Sequence, residues 1–397
     1  SETERASLQE RDLASLLSAG ERPEEHFLAG EIDGLADGLS ALRSRNPLRD
    51  GSAAQLDGWN GLVPAGSVLP PGSDQPVSPT ALETFAACPF RYLLKHVLRV
   101  GEAERPEEAD AISAADIGNV MHDALEEFFN GTKGRPDPSA PWSEEEREQM
   151  RTIAERHCQA AEDQGLTGKS VVWASERQRI LRNLELFLEK EQEQRLASGF
   201  VFDRAELAFG GTTDGELPAA RLALPDGTAL LFRGRIDRVD RNGHGELLIS
   251  DYKSGSTSKY GALKKPEPEA QLHGGRLLQL PVYALAIEGE ATGGPVQTRY
   301  WFVTEREGFE ERRITFDEAM RTELGRVAQV LVETMQTGHF PAVPETGRGG
   351  QCEYCPYDSL CPSTARAELW EQWQQDPGIA AFVALRGGSQ GGDSDGG

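Results

Sequence analysis

The chain has 397 residues, 38% of them hydrophobic, which is enough to bury one large core or two smaller ones in a soluble globular protein. A formal net charge of -24 excludes a chain that grips nucleic acid by bulk electrostatics, so any such path is local or comes from a partner. No apolar run reaches transmembrane length and no charged-then-apolar leader opens the sequence, which excludes a membrane-spanning reading and makes the cytoplasm the expected compartment.

Residues 1 to about 45 read as helix, with Leu13, Leu16, Leu17 and then Ile32, Leu35, Leu39 and Leu42 at helical spacing. The missing initiator Met and abrupt helical start suggest a processed chain or a piece of a longer one. A Pro, Gly and Ser-rich connector over 46–78 marks a boundary. The next helix opens with Ser78 as cap, Pro79 at its first position and Glu83 in its opening turn, and it is expected to run on through Cys88-Pro89-Phe90-Arg91-Tyr92. An amphipathic helix follows at Gly118-Asn119-Val120-Met121-His122, where a neutral imidazole could ligate a metal.

Residues 142–198 read as a helical insertion whose mixed charges suit solvated faces, with Cys158 as a small apolar residue within it. Gly165-Leu166-Thr167-Gly168-Lys169-Ser170 ends like a phosphate-binding loop. The required first glycine is Asp163 instead, and helix rather than strand precedes it, so it reads as an ordinary loop. Strands are expected over Phe200 to Phe209 and Ala219 to Leu224.

The centre of the reading is a β-hairpin. Two apolar runs, ALLFRGRIDRVD and GELLISDYK, flank a turn with Asn242, Gly243 and Gly245, so Asp237 and Asp251 come from adjacent strands. Alternation places Asp251 and Lys253 on one face. Two carboxylates with a lysine suit phosphodiester hydrolysis, since hard oxygens hold Mg²⁺ or Mn²⁺ and the metal activates water.

The loop after the hairpin carries Lys253, Lys259, Lys264 and Lys265, half of the chain's eight lysines, and could touch phosphates or simply be solvated. A helix over Leu277 to Ala286 puts Gln279 and Tyr283 on one face. Strands at 296–304 and 310–316 and a helix over 317–337 lead into Cys352-x-x-Cys355-x5-Cys361. With Cys88 these make four thiolates, enough for a [4Fe-4S] cluster or a tetrahedral Zn²⁺, and spacing does not separate the two. The Gly-rich tail should be disordered.

In this order, Gly118-x-x-x-His122, Gly234-x-x-Asp237, Asp251-x-Lys253 and Gln279-x-x-x-Tyr283 resemble the motif series of the RecB-like nucleases of the PD-(D/E)xK superfamily, over about residues 78 to 363. The resemblance implies an α/β fold, a mixed central β-sheet flanked by helices, here with the helical insertion and a four-cysteine staple. By the same resemblance His122, Asp237, Asp251 and the Tyr252 carbonyl would hold the metal, with Glu206 as an auxiliary ligand or a salt-bridge residue. Lys253 would orient water or stabilise the phosphorane, and Gln279 and Tyr283 would position the loop or the strand.

AddB-type nucleases carry one cysteine before the core and three after it around an iron-sulfur cluster. Residues 1–60 would then resemble the tail of a helicase-like region, 61–77 a linker, 78–365 the nuclease, 366–386 a C-terminal helix and 387–397 a disordered tail. The implied function is DNA end processing by an exonuclease within a helicase-nuclease hetero-oligomer, acting in double-strand-break repair. A CRISPR-adaptation-type nuclease and a nuclease-inactive DNA-binding structural protein stand as alternatives.

Overall fold

In the computed structural model the described residues are 12, 14–16, 26–44, 56–68, 74–101, 110–132, 137–211, 216–345, 350–361 and 366–389. They belong to two compact units, one built from the described residues of Pro71–Glu83, Glu104–Leu331 and Leu385–Gly397, the other from those of Ser1–Pro70, Thr84–Ala103 and Val332–Ala384. Among the described residues no helix is long and apolar enough to cross a membrane.

The larger unit is organised on a five-stranded sheet of β1 (Val201–Phe209), β4 (Gly234–Arg241), β5 (Leu247–Lys253), β6 (Gln297–Phe302) and β7 (Glu311–Thr315), in that spatial order. β5 and β6 are parallel and the other neighbours antiparallel, which makes the sheet mixed. The expected hairpin is β4–β5, closed by a turn in which Gly245 sits at φ 78 and donates to the Asn242 carbonyl. The run read as one strand from Ala229 to Asp240 divides. β2 (Ala220–Ala223) and β3 (Ala229–Phe232) form a separate two-stranded sheet, and the Arg233 N–H turns away to the Val77 carbonyl.

Helix α1 (Pro79–Ala87) begins at the Ser78 cap, whose Oγ accepts from the Ala81 N–H at 3.2 Å. It stops one residue short of Cys88, which is extended (φ -154, ψ 103), and a new short helix runs over Pro89–Tyr92. The single helix expected there is broken because a proline drives the residue before it out of the helical region. Helix α2 (Ala114–Thr132) buries Val120, Met121, Ala124, Leu125, Phe128 and Phe129. The insertion is α3 (Glu144–Asp163), opened by a Ser143–Glu146 capping box, and α4 (Ser170–Ser198). Their apolar faces join α2, Tyr252, Trp301 and Val303 in one core with Cys158 fully buried.

Of two expectations for these helices, one holds and one needs amending. The GLTGKS segment is a loop, as read, with Gly165 and Gly168 at positive φ and Lys169 paired with Asp110 at 2.5 Å. The charges of α4 are not all solvated, because Glu191 and Arg195 are buried at 1% and 2% exposure. They belong to a network under the sheet in which Glu191 and Asp240 pair with Arg238, Glu191 with Arg195, and Arg299 with Asp240 and Glu311. Burying that many charges requires pairing, and here three carboxylates meet three guanidiniums.

The other unit contains short helices at Phe27–Glu31 and Leu35–Ser44, and a segment in which the Val63 N–H donates to the Gly338 carbonyl and Phe340 to that of Gly61. Phe85, Tyr92, Phe340 and Phe382 form its aromatic centre. The C-terminal helix expected over 366–386 is two helices, Arg366–Trp373 and Ala380–Ser389, interrupted where Pro377 opens a 3-10 turn capped by Asp376. Of residues 387–397, read as a disordered tail, 387–389 belong to the last helix and 390–397 lie outside the described residues.

Candidate active site

Two motif glycines allow the close approaches that assemble the site. A Cβ on Gly118 would stand 3.3 Å from Ser254 Oγ, so α2 lies tight against the end of β5, and one turn later His122 Nε2 is 3.1 Å from the Tyr252 carbonyl oxygen. A Cβ on Gly234 would stand 2.8 Å from the Phe209 ring and 3.5 Å from that of Tyr283. Helix α5 (Gln279–Ile287) can therefore seat Tyr283 edge-on to Phe209 beside the start of β4.

Asp237 and Asp251 come from adjacent strands on the face opposite Arg238 and Tyr252. Asp237 Oδ2 accepts from the Tyr252 N–H at 2.8 Å and lies 3.4 Å from His122 Nδ1. His122, Glu206 and Asp237 each offer a ligand atom within 4.8 Å of the others. Glu206 gets there at a conformational cost, at φ 47 in the middle of β1, just past the bulge at Asp203. A non-glycine residue held there costs of order 1–3 kcal/mol, a strain typical of functional positions.

Asp251 lies outside that triplet, with Oδ2 2.5 Å from Lys253 Nζ. Burial pushes Asp237 well above the usual carboxylate range, and the Asp251 charge adds to the effect. Burial with the Asp237 charge lifts Glu206 to about 7. Desolvation alone would depress Lys253, but Asp251 reverses this and holds the ammonium above its ordinary range. Lys253 Nζ also donates to Gln279 Oε1 at 3.1 Å, and Gln279 Nε2 donates to the Tyr283 hydroxyl at 3.3 Å.

One contributor was missed from the sequence. Glu83 Oε1 accepts the N–H groups of Leu278 and Gln279 at 2.6 and 3.0 Å, capping α5 from 196 residues away in the chain. Burial raises this carboxyl to about 7, against those two N–H groups and Lys253. Its position in the first turn of α1 looks like ordinary capping chemistry, and only the fold brings α1 to α5.

These residues suit a divalent cation. Cis ligands on a magnesium held at about 2.1 Å stand about 3 Å apart, close to the 3.4 Å between His122 Nδ1 and Asp237 Oδ2. Three carboxylates with one half-buried ammonium leave a negative excess that such an ion would balance. Arg235 approaches Glu206 at 3.5 Å but is largely exposed.

In the other unit, Cys88, Cys352, Cys355 and Cys361 line one cavity. Gln351 Nε2 donates to the Ala87 carbonyl at 2.9 Å and the Tyr357 hydroxyl to that of Val100 at 3.1 Å, fastening the cysteine loop beside Cys88. Burial pushes the Cys88 thiol up, and neighbouring Cys355 and Cys352 add to it. Thiols that would repel one another when ionised suit a cationic centre.

The family model of the PD-(D/E)XK nuclease superfamily matches residues 76–362, and the chain belongs to that superfamily, a class of phosphodiester hydrolases. Among curated proteins it is similar to a subunit of the ATP-dependent helicase/deoxyribonuclease of Clostridium perfringens (strain 13 / Type A), 31% identical over 220 residues covering 53% of this chain and 17% of that protein. The same-named proteins of Clostridium tetani and Geobacillus kaustophilus are 30% and 33% identical over 226 and 187 residues, covering 54% and 45% of this chain and 18% and 15% of theirs. The matched stretch thus spans about a sixth of each relative's length.

Proposed function

We propose that the protein is a metal-dependent deoxyribonuclease of exonuclease type, working with an ATP-dependent helicase-nuclease partner on DNA ends in double-strand-break repair and recombination. The observation that carries this reading is the gathering of His122, Glu206 and Asp237 within 4.8 Å of one another, with the Asp251–Lys253 pair on the adjacent strand. His122, Asp237, Asp251 and the Tyr252 carbonyl would hold Mg²⁺ or Mn²⁺, with Glu206 completing the set, and the ion would lower the pKa of a bound water and neutralise phosphate charge. Lys253 stays protonated beside Asp251, so it donates to the attacked phosphate oxygens rather than acting as a base. Gln279 holds that ammonium in place, and Tyr283 holds Gln279.

The names of the relatives support the DNA substrate and the partner. Residues 1–60 would be the tail of a helicase-like region, joined by the linker 61–77 to the nuclease at 78–365, and the protein would work in the cytoplasm. Lys253→Ala tests the assignment: cleavage of a labelled DNA substrate should be lost while anisotropy shows binding largely kept, and near wild-type cleavage would sink it.

Cys88, Cys352, Cys355 and Cys361 would hold a [4Fe-4S] cluster. Four thiols suit either centre, and the choice of a cluster over zinc rests on the AddB-type arrangement of one cysteine before the core and three after it. The cluster would close a loop around nearly the whole nuclease and stabilise it by several kcal/mol, roughly as a crosslink does. Cys352→Ala should lose iron and melt lower, and a colourless protein with stoichiometric zinc would replace the cluster with a zinc staple.

A further inference from the structure

We propose that the loop from Ser254 to Lys265 is a fixed phosphate rail, with Lys259, Lys264 and Lys265 gripping the backbone of a single DNA strand as it leaves the Asp251–Lys253 pair. The proposal rests on the nuclease reading for the identity of the strand, but its geometry stands independently. The loop is built as two short 3-10 turns within Thr257–Lys264 that meet at a kink at Tyr260, the first capped by Ser256, whose Oγ accepts from the Ser258 N–H at 3.2 Å. The Thr257 N–H donates to Glu307 Oε2 at 2.9 Å and Gln271 Nε2 to the Lys265 carbonyl at 2.8 Å, fastening both ends. Leu263 is buried, and the Tyr260 ring packs on Tyr300 at 4.7 Å and Phe302 at 5.3 Å.

Tyr300 is the link to the site, because Lys253 Nζ lies over the same ring at 5.0 Å. Lys259 therefore adjoins a residue that shares an aromatic surface with the catalytic ammonium. Lys259, Lys264 and Lys265 are exposed, and among the described residues no ion pair involves any of them. Arginines elsewhere in this unit find partners, Arg182 with Glu305, Arg321 with Glu288 and Arg313 with Glu311. In a chain of net charge -24, three such ammoniums on an anchored loop beside the reacting centre form a local anion path, and a phosphodiester backbone offers successive charges to match.

The test is the salt dependence of binding, measured by anisotropy of a labelled single-stranded oligonucleotide without divalent metal, so that nothing is cut. The triple variant Lys259→Gln, Lys264→Gln, Lys265→Gln should melt like wild type. Its slope of log affinity against log salt should be shallower by about 2, at roughly 0.7 for each phosphate no longer neutralised. An unchanged slope overturns the rail. Wild-type protein that shows the lysine-dependent slope but cuts no DNA with Mg²⁺ or Mn²⁺ would instead overturn the nuclease reading and leave the rail standing.

Discussion

Adjacent residues of one strand, Asp237 and Arg238, point to opposite faces of the sheet and meet opposite electrostatic solutions. On the insertion face Arg238, Arg195 and Arg299 face Glu191, Asp240 and Glu311, and although burial opposes it, Arg238 and Arg195 hold Glu191 below the usual carboxylate range. On the other face Asp237 and Asp251 share the half-buried Lys253 ammonium with Glu206 beside Asp237, and burial with mutual repulsion lifts Asp237 and Glu206. A balanced cluster serves the fold. An unbalanced one stores a demand for positive charge.

The largest break in this contrast should come from the unbalanced face. Asp251→Asn or Asp237→Asn should lower cleavage by ~10³-fold or more in steady-state assays, and Asp237→Asn should leave the metal-free protein as stable as wild type or more so, because a crowded charge is gone. The reverse pattern should follow from the balanced face. Glu191→Ala leaves buried arginines without their partner and should destabilise by about 3–5 kcal/mol in denaturant melts, while the molecules that remain folded cut at the normal rate.

Smaller effects sharpen the picture. Glu83→Ala should lower kcat by roughly 10–100-fold with DNA affinity kept, since α5 loses the cap that sets Gln279 against Lys253. Glu83→Gln, which still offers an accepting oxygen, should recover most of it, and equal loss in both variants would mean that charge rather than position matters. The same carboxyl, raised from 4.5 to about 7 in the fold, binds a proton that the unfolded chain releases, so its contribution to stability is full below about 4.5 and fades as pH rises through about 7. The melting temperature of Glu83→Gln should therefore decline less than that of wild type across this window.

Much of the site was legible because its signals are local. Asp251 and Lys253 alternate on one strand, the Asn242–Gly245 turn specifies the hairpin, and Gln279 and Tyr283 lie one helical turn apart. Glu83 was not legible, since its role depends on a contact across about half the length of the chain. Nor was the buried network, because Glu191 and Arg195 on α4 carry the same i, i+4 spacing as a solvated pair and differ only in what covers them. The break at Cys88 could have been read from Pro89, whose effect on the preceding residue is local.

The most direct test of the unbalanced face is a calorimetric titration of Mn²⁺ into wild-type protein and Asp237→Asn, with both checked for equal melting. The electrostatics of this face predict saturable binding to the wild type that is lost or weakened at least tenfold in the variant. Indistinguishable isotherms would mean that Asp237, Glu206 and His122 do not gather a cation, and the face would then have to be explained without one.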